Sequence, residues 1–252
     1  MEVDLNADMG ESYGLWNKGN DAALLNIITS ANVACGFHAG DPDVMMKTMA
    51  LAQKNSVGVG AHPGFADLQG FGRHRLHIPL STLQNQIRYQ IGAAYAIATA
   101  AGTQLRHVKL HGALSNMACE DPIMSRACYE AALSAAPDLS IMVLSATAQM
   151  EAVKELGCKW VGEIFADRSY NDDGTLVDRS LPDAVIHNAK IAGPRIAQMI
   201  KEGAIITKTG KRLKTQIHTV CVHGDTPEAI DIAESVREAL TASDIKLRKF
   251  KV

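Results

Sequence analysis

No apolar run in this chain is long enough to cross a bilayer. The longest, IGAAYAIATAAG at 91–102, falls short of the ~20 residues a spanning helix needs and reads as part of a core helix. The N-terminal MEVDLNADMG carries acids where a secretory signal carries a basic region and an apolar stretch, so export is not expected. Net charge is equally scarce. At −2 over 252 residues it gives no electrostatic reason to expect nucleic acid or an anionic membrane as partner, and a small substrate fits better. The five cysteines, Cys35, Cys119, Cys128, Cys158 and Cys221, are odd in number, widely spaced and contain no CxxC pair. That disfavours a disulfide framework and a structural zinc site, and a cytoplasmic setting is expected. Cys35, beside Gly36 and near His38, reads as a small buried residue at a strand end rather than a nucleophile. Neither GxxxxGK[ST] nor a GxGxxG at a strand-to-helix turn occurs, so no ordinary nucleotide loop is present, and HExxH is absent too.

What is there is alternation. The length and the 47% hydrophobic content fit one large domain over 1–252 with a substantial core. Short apolar runs predict strands at 3–7, 31–35, 57–61, 107–110, 140–144, 160–164 and 218–222. Helical periodicity fills the gaps at 20–29, 42–55, 81–101, 121–135, 146–156, 182–202 and 226–241, several with a cap and proline start. Strands separated by helices pair in parallel, and near-continuous apolar strands are covered on both faces, so a seven-stranded β/α barrel follows. Residues 203–217 break the rhythm as a charged hairpin before the last strand.

Barrels of this kind place their chemistry where the strands end, because the βα loops converge there. Strand one carries Asp4, Asn6 and Asp8 on one face, then Glu11. The next exits supply His38 with Asp41, His62 with Asp67 and Arg73, and Lys109 with His111 and Asn116. The later ones supply Glu163, Asp167 and Arg168, and finally His223 with Asp225. His38, His62, His111 and His223 follow four separate strands, each near a glycine that lets the backbone turn, and convergence on one mouth is the simplest account. Lys109 and Glu163 sit inside strands, where charges are costly to bury; they form either a structural ion pair or part of a polar pocket. Imidazoles with carboxylates can hold a divalent metal that acidifies water, or can do metal-free acid–base work, and the spacing does not separate the two.

Several blocks in order, DLNADMGESYG, NVACGFHAGDP, GAHPGFADLQGFGR, VKLHGALSN, EIFADRSYNDDGTLVDRS and VCVHGDTP, closely resemble the LamB/YcsF family nearly end to end. The resemblance implies a distorted seven-stranded β/α barrel of the glycoside hydrolase/deacetylase type. It also implies ATP-dependent opening of 5-oxo-L-proline to L-glutamate, together with separate B and C subunits. Leu110, Ser115, Ala66 and Asp178 depart from the family pattern, and none of them removes a candidate acid, base or charged ligand. On this reading Asp8 with His38 or His62 activates water, and Lys109 and His111 stabilise the oxyanion. His223 and Asp225 handle the proton on the departing nitrogen. Arg73 or Arg168 grips the substrate carboxylate, with Asn6, Glu11, Asn116, Glu163 and Asp167 lining the pocket. Two rival readings are a stand-alone metal-dependent deacetylase or amidohydrolase, and a noncatalytic carrier of a small acid.

Overall fold

A computed structural model describes residues 1–224 and 228–251. Seven parallel strands close on themselves: β1 (Glu2–Met9), β2 (Ser30–Ala34), β3 (Gly58–His62), β4 (Leu105–Lys109), β5 (Ser140–Leu144), β6 (Trp160–Phe165) and β9 (Thr219–Val222). β9 hydrogen-bonds to both β6 and β1, which shuts the barrel. Between β6 and β9, β7 (Ala204–Ile206) and β8 (Arg212–Lys214) form the expected antiparallel hairpin. A short β10 (Lys246–Leu247) pairs with the start of β1, a strand the apolar pattern does not signal.

The helices are α1 (Asp21–Leu24), α2 (Pro42–Lys54), α3 (Leu80–Ala100), α4 (Gly112–Glu120), α5 (Pro122–Ala135), α6 (Ala148–Leu156), α7 (Ala189–Glu202) and α8 (Ala229–Ala242). Asp41 and Asp121 cap α2 and α5 as the Asp-Pro signals require, each accepting main-chain N–H bonds of the first turn. Three elements differ from expectation. The helix predicted at 20–29 shrinks to the single turn of α1, α7 starts seven residues later than predicted at 182, and α4 arises where a loop was expected. The predicted start of the last helix at 226 lies outside the described residues.

The alternation in β1 has a clear physical cause. Val3, Leu5, Ala7 and Met9 are buried in the layer between strands and helices, where the main apolar core sits. Asp4, Asn6 and Asp8 point the other way, into a polar lumen. There Asp4 accepts bonds from Thr29, Ser30 and Thr219, while Asn6 links Thr219 to Asn32. A buried polar atom without a partner is costly, so this ladder of mutual bonds is what lets a barrel be polar inside. Burial pushes the Asp4 carboxyl up, against the pull of its three hydroxyl donors. The helix layer and the ladder together fix the upper rim, where the strand exits meet.

Candidate active site

At the rim the carboxylate of Asp8 occupies the centre. Its Oδ1 accepts from Lys109 Nζ and Asn32 Nδ2, both at 2.9 Å, and its Oδ2 lies 3.3 Å from His62 Nε2. Burial favours the neutral acid, but the charges of His62 and Lys109 win and hold the carboxyl well below its usual value. Lys109 reaches Asp8 from β4 and also meets Glu163 Oε1 at 3.0 Å and Cys221 Sγ at 3.1 Å. Burial opposes its charge, yet the neighbouring anions, Asp8 foremost, keep the ammonium well above its ordinary value. Lys109 and Glu163 thus form an ion pair inside the barrel, and of the two only Lys109 also lines the cavity. Their mutual bonds use the donors of Lys109, so its effect is to hold Asp8 ionised.

Three imidazoles stand beside Asp8. His62 donates from Nδ1 to the Lys109 carbonyl at 2.8 Å, and His111 donates from Nε2 to the Phe71 carbonyl at 2.8 Å. His38 stacks on His111 with ring centroids 3.7 Å apart, and Glu11 Oε1 lies 4.0 Å from its Nε2. Gly72 makes this crowding feasible. It has φ +64°, and a Cβ there would sit 2.7 Å from both His111 Cδ2 and His38 Cβ. Burial, reinforced by the neighbouring imidazoles, pushes His38 and His111 well below the ordinary histidine value, so both rings are neutral at pH 7.

Opposite them, His223 donates from Nδ1 to Asp167 Oδ2 at 2.7 Å while its ring stacks on Phe165. Burial raises the Asp167 carboxyl, but His223 and then Arg168 hold it below its usual value, so it stands as an anion behind the imidazole. The Nε2 of His223 is left toward the cavity, 3.5 Å from Arg179. A cavity of about 500 Å³ joins these parts, lined by Asp8, His62, Lys109 and His111 on one side and His223 on the other. Glu11, Arg73 and Asn116 also face it.

Of the remaining candidates, His38 sits behind His111, and Asn6 lies lower in the lumen. Asp225 lies outside the described residues. Arg168 reaches the cavity wall but spends its guanidinium on the main-chain carbonyls of Ala184 and Val177, and burial lowers its value to about 10. Asn32, which bonds Asp8, and Arg179, which lines the cavity, are positions at the site that sequence reasoning missed. A polar residue at an alternate position of an apolar strand could have signalled Asn32; an arginine in a polar loop gives no signal.

His/Asp/Glu donors at the C-terminal rim of a seven-stranded parallel barrel define a β/α barrel of the glycoside hydrolase/deacetylase type. A family 4 carbohydrate esterase from Streptomyces lividans shares this fold at a TM-score of 0.51 and 10% identity, over 98% of this chain and 92% of that one. The chain belongs to the LamB/YcsF family, whose profile matches residues 3–252. A relative from Ruegeria pomeroyi, named as the A subunit of 5-oxoprolinase, is 63% identical over 249 residues, 99% of this chain and 98% of its own. The structure of a lactam utilization protein from Thermus thermophilus superposes at a TM-score of 0.92 with 40% identity, over 99% of this chain and all of that one.

Proposed function

We propose that this chain is the A subunit of a 5-oxoprolinase, the component that opens the lactam ring of 5-oxo-L-proline to give L-glutamate. The carrying observation is the cavity with the ionised Asp8 and the imidazoles of His62 and His111 on one wall and His223, backed by Asp167, on the other. Hydrolysis of a cyclic amide needs these two halves. Water lodged against the imidazole cluster loses its proton to Asp8 as its oxygen adds to the lactam carbon. His223, aligned by Asp167, first takes a proton from solvent onto Nε2 and passes it to the ring nitrogen as the C–N bond breaks. The cation of Lys109, bonded to Asp8, keeps that carboxylate ionised and ready to act as the base.

The substrate also carries a carboxylate, for which Arg179 and Arg73 supply guanidinium groups at the cavity. Arg168 is assigned to the loop that it braces. Opening this five-membered lactam is uphill, and the chain has no ordinary nucleotide loop. We therefore assign ATP use to separate B and C subunits, consistent with the word subunit in the relatives' names: phosphorylation of the amide oxygen makes C–N cleavage yield an acyl phosphate, whose hydrolysis releases phosphate and glutamate. No helix among the described residues is long and apolar enough to cross a membrane.

The test is to mix the purified chain with 5-oxoproline and ATP, with and without the B and C partners, and to assay glutamate. Glutamate from the complete mixture alone is the expected result. ATP-independent release from a different amide by this chain alone overturns the reading.

A further inference from the structure

The hydrogen bonds of His62 and His111 raise a problem that the two rings cannot solve by themselves. A carbonyl oxygen only accepts, so His62 carries its proton on Nδ1 and His111 carries its proton on Nε2. The remaining nitrogens, His62 Nε2 and His111 Nδ1, then face each other at 2.9 Å. Something positive belongs between them, either a proton or a metal cation. A shared proton leaves a second problem unsolved. His38 is 0% exposed and neither of its ring nitrogens has a hydrogen-bond partner, although an unmade bond at a buried polar group costs about 1–3 kcal/mol.

A metal answers both. Glu11, His38, His62 and His111 each offer one donor atom, and all four atoms lie within 4.8 Å of one another. A tetrahedral ion with bonds of about 2.0–2.1 Å places its ligand atoms about 3.4 Å apart. Here the separations are 2.9 Å between His62 and His111, 3.9 Å between His111 and Glu11, and 4.0 Å between Glu11 and His38, which bracket that spacing.

We propose that Glu11, His38, His62 and His111 form a binding site for one divalent transition-metal ion of the zinc class. Three imidazoles and one carboxylate suit zinc, cobalt or nickel, whereas magnesium and calcium select oxygen donors. Asp8 is not in this group of mutually close donors: its Oδ1 is engaged by Lys109 and Asn32, and its Oδ2 lies 3.3 Å from His62 Nε2. His38 and His111 are parallel to within 8°, so loading tilts one ring until both nitrogens aim at the ion. When bound, the ion would acidify a water at the cavity, into which Glu11, His62 and His111 face.

The experiment uses the full chain, stripped with a chelator and dialysed, then titrated with Zn²⁺ by calorimetry and with Co²⁺ by visible absorption. Expected are one ion per chain, the cobalt bands of a nitrogen-rich four- or five-coordinate site, and a rise in melting temperature on adding Zn²⁺. His38→Gln and His111→Ala should each weaken Zn²⁺ binding at least about 100-fold and abolish the thermal shift, while circular dichroism without metal matches the parent. Cys221→Ala should bind as the parent does. Folded parent chain that takes up no stoichiometric Zn²⁺ or Co²⁺ overturns the proposal in favour of a trapped proton. Binding lost in Cys221→Ala but kept in His38→Gln overturns it in favour of the neighbouring Asp8, Cys221 and His223 cluster. The readout is metal uptake, so a chain that loads zinc without releasing glutamate keeps the site while refuting the ring-opening reading.

Discussion

His223 and Asp167 are joined by a 2.7 Å hydrogen bond that fixes the proton on Nδ1 and turns Nε2 toward the cavity. In the proposed ring opening the carboxylate acts through the imidazole, as a positioning residue. Asp167→Asn keeps its shape but removes the charge and lets the ring choose the wrong tautomer. The expected outcome is a fall in kcat of about 10²-fold or more with KM nearly unchanged, since general acid catalysis contributes about 10²–10⁴-fold. Steady-state glutamate release by the complete mixture checks this; a rise in KM at constant kcat would mean that Asp167 binds substrate instead.

Lys109 is the only cation that Asp8 and Glu163 both touch in the salt bridges formed among the described residues. Removing it takes from two buried carboxylates the cation they share, and breaking a buried pair in this way costs about 3–5 kcal/mol. Lys109→Met should lower the urea midpoint accordingly, and adding Glu163→Gln should restore part of the loss by removing one of those anions. Acid should also relieve the single variant. Without the ammonium the Glu163 carboxyl, already pushed up by burial, rises further above its unfolded value, so the deficit shrinks as pH falls from 7 toward 5. A deficit that is constant over that range contradicts the ion-pair account.

Much of this architecture was legible in the chain, because strands buried on both faces and capped, proline-started helices leave local signals. The seven barrel strands fall within a residue or two of their apolar runs. Other parts were hidden for identifiable reasons. The start of α4 has no side-chain cap, since His111 at that position is bonded to Phe71 instead. Leu181-Pro182 imitates a helix start, yet Arg168 and Ser169 claim the carbonyls of Asp183 and Ala184, and the helix waits for its Asn188 cap. The rim histidines announce themselves by the glycines beside them. His107 does not, because it points into the lumen over Gly60, where a Cβ would lie 2.2 Å from its Nε2.

His107 gives the chain a specific acid sensitivity. Its Nε2 donates to Asn32 at 2.7 Å, and burial, helped by Arg106 and Lys109, lowers its value to about 3. The folded state thus binds this proton later than the unfolded state, whose histidine titrates near 6.5. Its stabilisation is complete above about pH 6.5 and drains away as pH falls toward 3, at up to about 1.4 kcal/mol per pH unit. His107→Gln should be less stable at pH 7 but lose less on acidification, by about one proton's slope between pH 6 and 4.5. Urea denaturation at several pH values in that window measures the difference, and parallel curves for parent and variant would rule out His107 as the source.

The two arginines near the mouth should separate cleanly by phenotype. Arg168 is buried and braces the 177–184 segment through two carbonyls, which only a forked guanidinium can span, so Arg168→Lys should lower stability by about 1–3 kcal/mol. Arg179 is half-buried and faces the cavity 3.5 Å from His223, so Arg179→Gln should leave the urea midpoint within about 0.5 kcal/mol of the parent. Its effect in the proposed function falls on the substrate carboxylate, with KM rising about 10- to 100-fold from loss of a charge-assisted bond worth about 1.5–3 kcal/mol. Thermal melts and KM values for both variants decide the matter. Should Arg168→Lys raise KM at unchanged stability while Arg179→Gln unfolds the chain, the guanidinium that grips the substrate is Arg168 and the brace is Arg179.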